Sequence, residues 1–247
     1  MEFTSLPNTD FIVIPKSCRD ASLWSLLVEK SKRFRLNSLK ESPEAFASTY
    51  EREKAFEDSV WADRLSSLRA TTVVGVERFS GMEVKNKDDD SAMIRALVES
   101  SWQSTTVVVE PPEEALASLS ASRSPWHAIT TTTDASVEPG PSKKITFVLN
   151  GVYVAPAFRE QGIGKATLHA AVSVGRSIAA ARGRHLVHFQ VRVDTANTAA
   201  SSLYEKAGFH EVRREHLNMG TVVRDGLVRQ REAVVAVLDR VDSLDDT

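Results

Sequence analysis

Two short stretches carry the residues whose types and spacing suit chemistry on an anionic ligand. The first is Val152-Tyr-Val-Ala-Pro-Ala-Phe-Arg-Glu-Gln-Gly-Ile-Gly-Lys165. It reads as a strand end, a proline, a basic glycine-rich turn and the first turn of an amphipathic helix. Glycines let the backbone approach a ligand without Cβ clashes. The free N–H groups of a helix start, at the positive end of its dipole, bind anionic oxygens. The turn made by Arg159, Glu160, Gln161, Gly162, Ile163, Gly164 and Lys165 is therefore expected to hold a phosphate or pyrophosphate, with Arg159 and Lys165 adding charge at its rim. The plainer alternative is a tight strand–helix turn with no ligand. The third glycine of a Rossmann fingerprint is missing, and so is the Gly-Lys-Ser/Thr ending of a Walker A loop.

The second stretch is Asp194-Thr-Ala-Asn-Thr-Ala-Ala-Ser-Ser-Leu-Tyr-Glu-Lys-Ala-Gly-Phe209. Two helical turns separate Asn197 from Tyr204, about 10 Å along the axis, and bring both to one face. A tyrosine beside small alanines, in line with an amide near the helix start, suits a long ligand lying along the helix. The alternative is a half-buried packing tyrosine and a first-turn cap.

These residues need elements to hold them. Phe11–Pro15, Thr71–Val76 and Ile145–Val154 read as strands from their β-branched and apolar runs, as does Leu186–Val193. Ala21–Leu39 carries Leu23, Leu26, Leu27 and Phe34 at helical spacing, and Ser42-Pro43 breaks it. A second helix is expected from Ser59, with Trp61 and Leu65. Gln161–Arg182 is expected as a helix with Leu168, Ala171, Gly175 and Ile178 on one face and Gly183 as its stop. Asn197–Ala207 is expected as a short helix closed by Gly208. Strands follow around Phe209–Glu215 and Glu232–Leu238, with a turn at Arg224–Gly226. The alternation predicts a mixed α/β sheet in a single domain, 1–247. Between Arg78 and Ser142 the charge run Lys85–Asp90 and the Ser/Thr/Pro-rich composition predict a long, partly mobile insertion carrying one or two strands, one of them at Trp102–Glu110.

Composition narrows the classes. At 42% hydrophobic and 26% charged, the chain matches an ordinary soluble globular protein. A formal net charge of -2 gives no bulk attraction to nucleic acid or an acidic membrane. No apolar run approaches the ~20 residues of a membrane span, and Met1–Asp10 lacks a secretory pattern. A cytoplasmic location is expected. The single cysteine, Cys18, rules out an intramolecular disulfide and a Cys-based metal cluster, and no metal is expected.

Together the two stretches resemble the GNAT superfamily of N-acetyltransferases, and the likeness runs almost throughout Gly151–Phe209. The stretch Arg35–Tyr50 is similar to the first helical region of a subset of members. The resemblance implies a central, mostly antiparallel sheet with a splayed parallel strand pair, flanked by helices. It implies that the Arg159–Lys165 turn holds the pyrophosphate of coenzyme A and that the backbone of Val152, Tyr153 and Val154 pairs with the pantetheine arm. Asn197 would contact the pantetheine and Tyr204 the thioester sulfur. The implied activity is transfer of the acetyl group of acetyl-CoA to a primary amine, by direct attack in a ternary complex. The acceptor is expected to be a small molecule rather than a protein, with no nucleic-acid or membrane partner, in a monomer or homodimer. The rival reading is a module that binds acetyl-CoA without catalysis.

In that chemistry Tyr204 would assist the leaving thiolate. A tyrosine near ~10 facing a thiol near ~8.5 works more as a hydrogen-bond donor than as a full acid. A donor to the carbonyl oxygen is expected from backbone N–H near Val152. The strand Ile145–Val154 carries no carboxylate, so the general base stays open among Glu51, Glu53, His188 and water. His188 shares a sheet face with Leu186 and Gln190, and its first reading is a satisfied structural histidine. Trp102 and Trp126 are candidate anchors for the acceptor or for an oligomer contact.

Overall fold

In the computed structural model, residues 8–78, 90–116, 126, 129, 143–224 and 227–244 are described. The β-branched runs become seven strands of one sheet, in the order β1-β2-β3-β4-β5-β7-β6. They are β1 Thr9–Val13, β2 Ala70–Glu77, β3 Trp102–Val109, β4 Lys144–Val154, β5 Leu186–Asp194, β6 His210–Arg224 and β7 Leu227–Ser243. Only β4 and β5 run parallel; every other pairing is antiparallel. The helices are α1 Ala21–Glu41, α2 Tyr50–Lys54, α3 Asp58–Ser66, α4 Asp90–Glu99, α5 Glu113–Leu116, α6 Ile163–Ala181 and α7 Thr198–Lys206. None of the described helices is long and apolar enough to cross a membrane.

Strand alternation divides the core into two layers. On one face Phe147 and Leu149 of β4 and Phe189, Val191 and Val193 of β5 pack against α6 and α7. On the other, Val74 and Val76 of β2 and Trp102 of β3 pack against α1, α3 and α4. Helix α6 lies so close to the sheet that a Cβ on Gly175 would stand 2.4 Å from Cε1 of Phe189. Phe189 is fully buried and stacks on Phe147 at 5.8 Å, so neither ring can step aside. Gly175→Ala gains helix propensity of roughly 1 kcal/mol but overpacks the core. We expect a net loss of about 1–2 kcal/mol, read as a lower midpoint in urea unfolding; an unchanged or raised midpoint would contradict this packing.

The sheet opens where the sequence places its glycine-rich turn. Strands β4 and β5 pair only from Lys144↔Leu186 to Val148↔Gln190. Beyond that point β5 stays with β7 as far as Asp194↔Val235, and β4 stays with β3 as far as Val154↔Ser104. Between them β3 register slips, so that Gly151 and Val152 of β4 oppose Thr106 alone. Such a bulge bends its strand and adds twist, and Gly151 takes φ +63° there, a conformation costly for any residue with a Cβ. The bulge is the physical origin of the splay.

Within the stretch read as an insertion, the strand expected at Trp102–Glu110 is present. Trp102–Val109 is an interior strand of the sheet, flanked by β2 and β4. Ahead of it, α4 buries Ile94 and Leu97 completely. The charge run ending at Asp90 is the approach to this helix, and most of the segment expected to be mobile lies outside the described residues. Helix α2 was not foreseen. The final strands are far longer than expected, and the turn residues Asp225 and Gly226 lie outside the described residues.

Candidate active site

The turn between β4 and α6 is built from backbone. Pro156–Phe158 forms one 3₁₀ turn, closed by the Arg159 N–H on the Pro156 carbonyl at 3.3 Å. Glu160 at φ +61° and Gly162 at φ +80° then swing the chain into α6. The first helical bond runs from the Ala166 N–H to the Gly162 carbonyl at 3.1 Å. In between, the N–H groups of Glu160 through Lys165 have no acceptor among the described residues. These are the free donors of a 19-residue helix, at its positive end. Gln161, Gly162 and Lys165 are exposed there. Arg159 turns its guanidinium back: Nε donates to the Val154 carbonyl at 3.0 Å and Nη2 to Ser42 Oγ at 2.8 Å. It braces the turn against the end of α1, and the cradle proper is amide N–H.

Helix α7 closes the other side of the splay. A Cβ on Gly164 would lie 3.2 Å from Leu203 of α7 and 3.5 Å from Val154 of β4, so the three elements meet at that glycine. Asn197 caps α7, its Oδ1 accepting the Ala200 N–H at 3.1 Å, which leaves its amide NH₂ as a donor. Tyr204 is 7% exposed and meets Phe209 edge-on at 6.0 Å. Its hydroxyl has no hydrogen-bond partner among the described residues, and burial raises its pKa above the ordinary tyrosine value.

Across β4 lies a small, open cleft. Asn150 and Gly151 of the bulge line it, together with the rings of Phe34, Trp61 and Trp102 and the guanidiniums of Arg35 and Arg64. Buried Glu53 holds both arginines: Arg35 donates from Nε at 3.1 Å and from Nη2 at 2.7 Å, and Arg64 donates from Nη1 at 3.2 Å. Arg35 stacks on Phe46 at 4.4 Å, and Arg64 on Phe56 at 4.9 Å. Burial pushes the Glu53 carboxyl up, but the hydrogen bond and charge of Arg35, the charge of Arg64 and a hydrogen bond from Ser48 together hold it below its ordinary value. A carboxylate so clamped is a poor proton acceptor.

The comparisons with known proteins agree with this geometry. Residues 128–211 match the model of the acetyltransferase (GNAT) domain, a span that takes in β4, the turn, α6, β5 and α7. The crystal structure of Arabidopsis thaliana NAA60 in complex with acetyl-CoA aligns over 96% of this chain and 99% of that chain, with a TM-score of 0.50 and 13% identity. The chain has the GNAT fold, and residues 128–211 match the GNAT acetyltransferase domain. The spermidine N-acetyltransferase of Vibrio cholerae, in complex with CoA and spermine, aligns over 94% of this chain and 95% of that one, with a TM-score of 0.47 and 10% identity. No curated protein matches the sequence.

Within this GNAT fold, Val152–Val154 are the end of β4 beyond its pairing with β5, Arg159–Lys165 the turn that follows it and Asn197 the start of α7 after β5, while Tyr204 is buried on α7 against Phe209. The candidate bases do not gather at the opening between β4 and β5. His188 lies where the parallel strands are still paired, opposite Thr146. Its Nε2 meets Asp239 Oδ2 at 2.8 Å and its Nδ1 lies 3.4 Å from Thr146 Oγ1, so it is a satisfied histidine. Partial burial pushes Asp239 up, yet the hydrogen bonds from His188 and Gln190 and the charge of His188 bring it below its ordinary value. Glu53 is the clamp described above, and Glu51 is exposed on α2. The side chain of Tyr153 turns away from the opening, packs on Phe34 at 5.7 Å and donates its hydroxyl to Glu41. The cleft residues Arg35, Trp61, Arg64 and Asn150 escaped the sequence reading. The closest signal was the pairing of basic and aromatic residues along Phe34–Trp61.

Proposed function

We propose that this chain transfers the acetyl group of acetyl-CoA to the nitrogen of a primary amine by direct attack in a ternary complex. The observation that carries the reading is the splay of β4 from β5, with the free N–H groups of Glu160–Lys165 at one end and Tyr204 buried on α7. The residues fit the cosubstrate: a cradle of amide donors for a pyrophosphate, a β4 edge with no β5 partner beyond Val148 for an extended amide chain, and the amide of Asn197 as a further donor. Bound acetyl-CoA supplies the thioester. The amine nitrogen forms a bond to the acetyl carbon as the carbon–sulfur bond breaks. Sulfur leaves with the electron pair, and the amine gives up one proton. Backbone N–H at the Val152 bulge donates to the carbonyl oxygen as its charge grows. The Tyr204 hydroxyl donates to the sulfur. With Glu53 and His188 engaged, the amine proton passes to water in the cleft.

A second reading, a GNAT module that binds acetyl-CoA without turnover, draws on the absence of a carboxylate from β4. Coenzyme A release over a panel of primary amines, run beside calorimetric binding of acetyl-CoA, separates the two. Turnover of any amine supports transfer. Binding without turnover supports the module. No binding overturns both.

The cradle has its own test. Gly162→Ala introduces only the strain of a Cβ at φ +80°, whereas Gly162→Glu adds a carboxylate where the phosphates are placed. Acetyl-CoA affinity is expected to fall at least tenfold further in the glutamate variant, one unit of like charge at short range amounting to roughly 1–2 kcal/mol. Equal affinities in the two variants would contradict the placement.

A further inference from the structure

We propose that the cleft between α1, α3 and the β4 bulge binds a carboxylate borne by the amine acceptor, so that the acceptor is a small amine of amino-acid type with an apolar or aromatic body. This rests on the reading that the thioester lies at the β4–β5 opening, since the cleft reaches that opening through Asn150 and Gly151.

The lining decides the charge of the ligand. Two arginines line the cleft and, among the described residues, no aspartate or glutamate does. Glu53 neutralises one of the two positive charges, and that leaves the pair with an excess of one. Donors outnumber acceptors as well. Arg35 uses Nε and Nη2 on Glu53, while its Nη1 stands 4.0 Å from where a Cβ of Gly151 would be, at the bulge, with no acceptor among the described residues. Arg64 binds Glu53 through Nη1 alone. Trp61 is 4% exposed, and its indole N–H has no hydrogen-bond partner among the described residues. A buried donor without an acceptor is costly. Two guanidiniums and an indole N–H around one cleft define a place for an acceptor group with negative charge. The rings of Phe34, Trp61 and Trp102 supply the apolar wall for the rest of the molecule. A polycation has no counter-charge in this lining.

Tryptophans 61, 102 and 126 line the cleft, so their emission reports on its occupancy. The test titrates the full chain with L-phenylalanine and L-leucine, and in parallel with phenylalaninamide, leucinamide and 2-phenylethylamine. The expected result is a saturable emission change whose midpoint is at least tenfold lower for each amino acid than for its counterpart without the carboxylate. Trp61→Phe, which keeps a ring and deletes the N–H, is expected to weaken the carboxylates about fivefold. Equal or tighter binding of the compounds without a carboxylate overturns the proposal, and so does the absence of any response in both series. Calorimetric binding of acetyl-CoA is measured on the same samples. If acetyl-CoA binds and the carboxylates show no preference, only this inference falls. If the carboxylates bind and acetyl-CoA does not, the acetyl-transfer reading falls and the cleft stands as a carboxylate site.

Discussion

Glu53→Ala is expected to destabilise the protein by about 3 kcal/mol, near the low end for breaking one side of a buried ion pair, because Arg35 and Arg64 stay 23% and 17% exposed and recover some solvation. For a chain of this size that is a fall of roughly 6–12 °C in thermal midpoint. Burial sets the scale. The Glu53 side chain is 3% exposed and, among the described residues, is the sole acid partner of either arginine, so its loss leaves two cations facing each other beneath the cleft. Glu53→Gln keeps the shape and part of the hydrogen bonding, and is expected to lose less than alanine. The pH dependence follows from the depressed carboxyl. The stabilisation is complete above the unfolded value of 4.5 and is lost as pH falls through the lower folded value. Thermal unfolding across that range checks the sign. A loss below about 1 kcal/mol in the alanine variant would contradict the clamp.

Tyr204→Phe is expected to leave acetyl-CoA affinity nearly unchanged and to slow the chemical step by roughly 10- to 1000-fold, the range of a single donor to developing charge. The ring packing on Phe209 survives, and only the hydroxyl goes. Burial raises the tyrosine pKa, so full proton transfer to a thiolate is further uphill than the ordinary gap between ~10 and ~8.5. The hydroxyl acts as a hydrogen-bond donor, and the rate should show no tyrosine ionisation between neutral pH and the ordinary tyrosine range. Single-turnover rates on a competent amine measure this. A wild-type chemical rate in the phenylalanine variant would return Tyr204 to a packing role.

The half of the fold to which we assign the cosubstrate was legible because its signals are local. Gly162, Gly183 and Gly208 sit at positive φ where the sequence placed a turn and two helix stops. The apolar face of α6 and the cap at Asn197 are written within single elements. The start of α4 was hidden by its acidic approach, although Met93, Ile94, Leu97 and Val98 stand at helical spacing. Strand β3 was seen, but not its interior place, since strand order depends on pairing between residues distant in the chain. The unforeseen ends of β6 and β7, 216–224 and 227–231, mix apolar and polar residues without a regular alternation, with Gly220 and Val222-Val223 breaking the period of two, so an apolar pattern does not reveal them.

The cleft was illegible for a related reason. Arg35, Glu53, Arg64, Trp102 and Asn150 come from three helices and two strands, and only the stacking of α1 and α3 on β2–β4 brings them together. Read singly, each is an ordinary charged or aromatic residue. Glu53 appeared as a candidate base because a carboxylate near the site is all that a sequence shows; its two arginine partners decide otherwise.

Amide hydrogen exchange of the full chain, with and without saturating acetyl-CoA, tests the central claim most directly. The N–H groups of Glu160–Lys165 lack acceptors among the described residues and should exchange fast in the free chain. Acetyl-CoA is expected to slow exchange in peptides covering 152–165 and 197–204, and to leave the β6–β7 hairpin unchanged. No slowing across 160–165, or protection confined to other segments, would contradict the account.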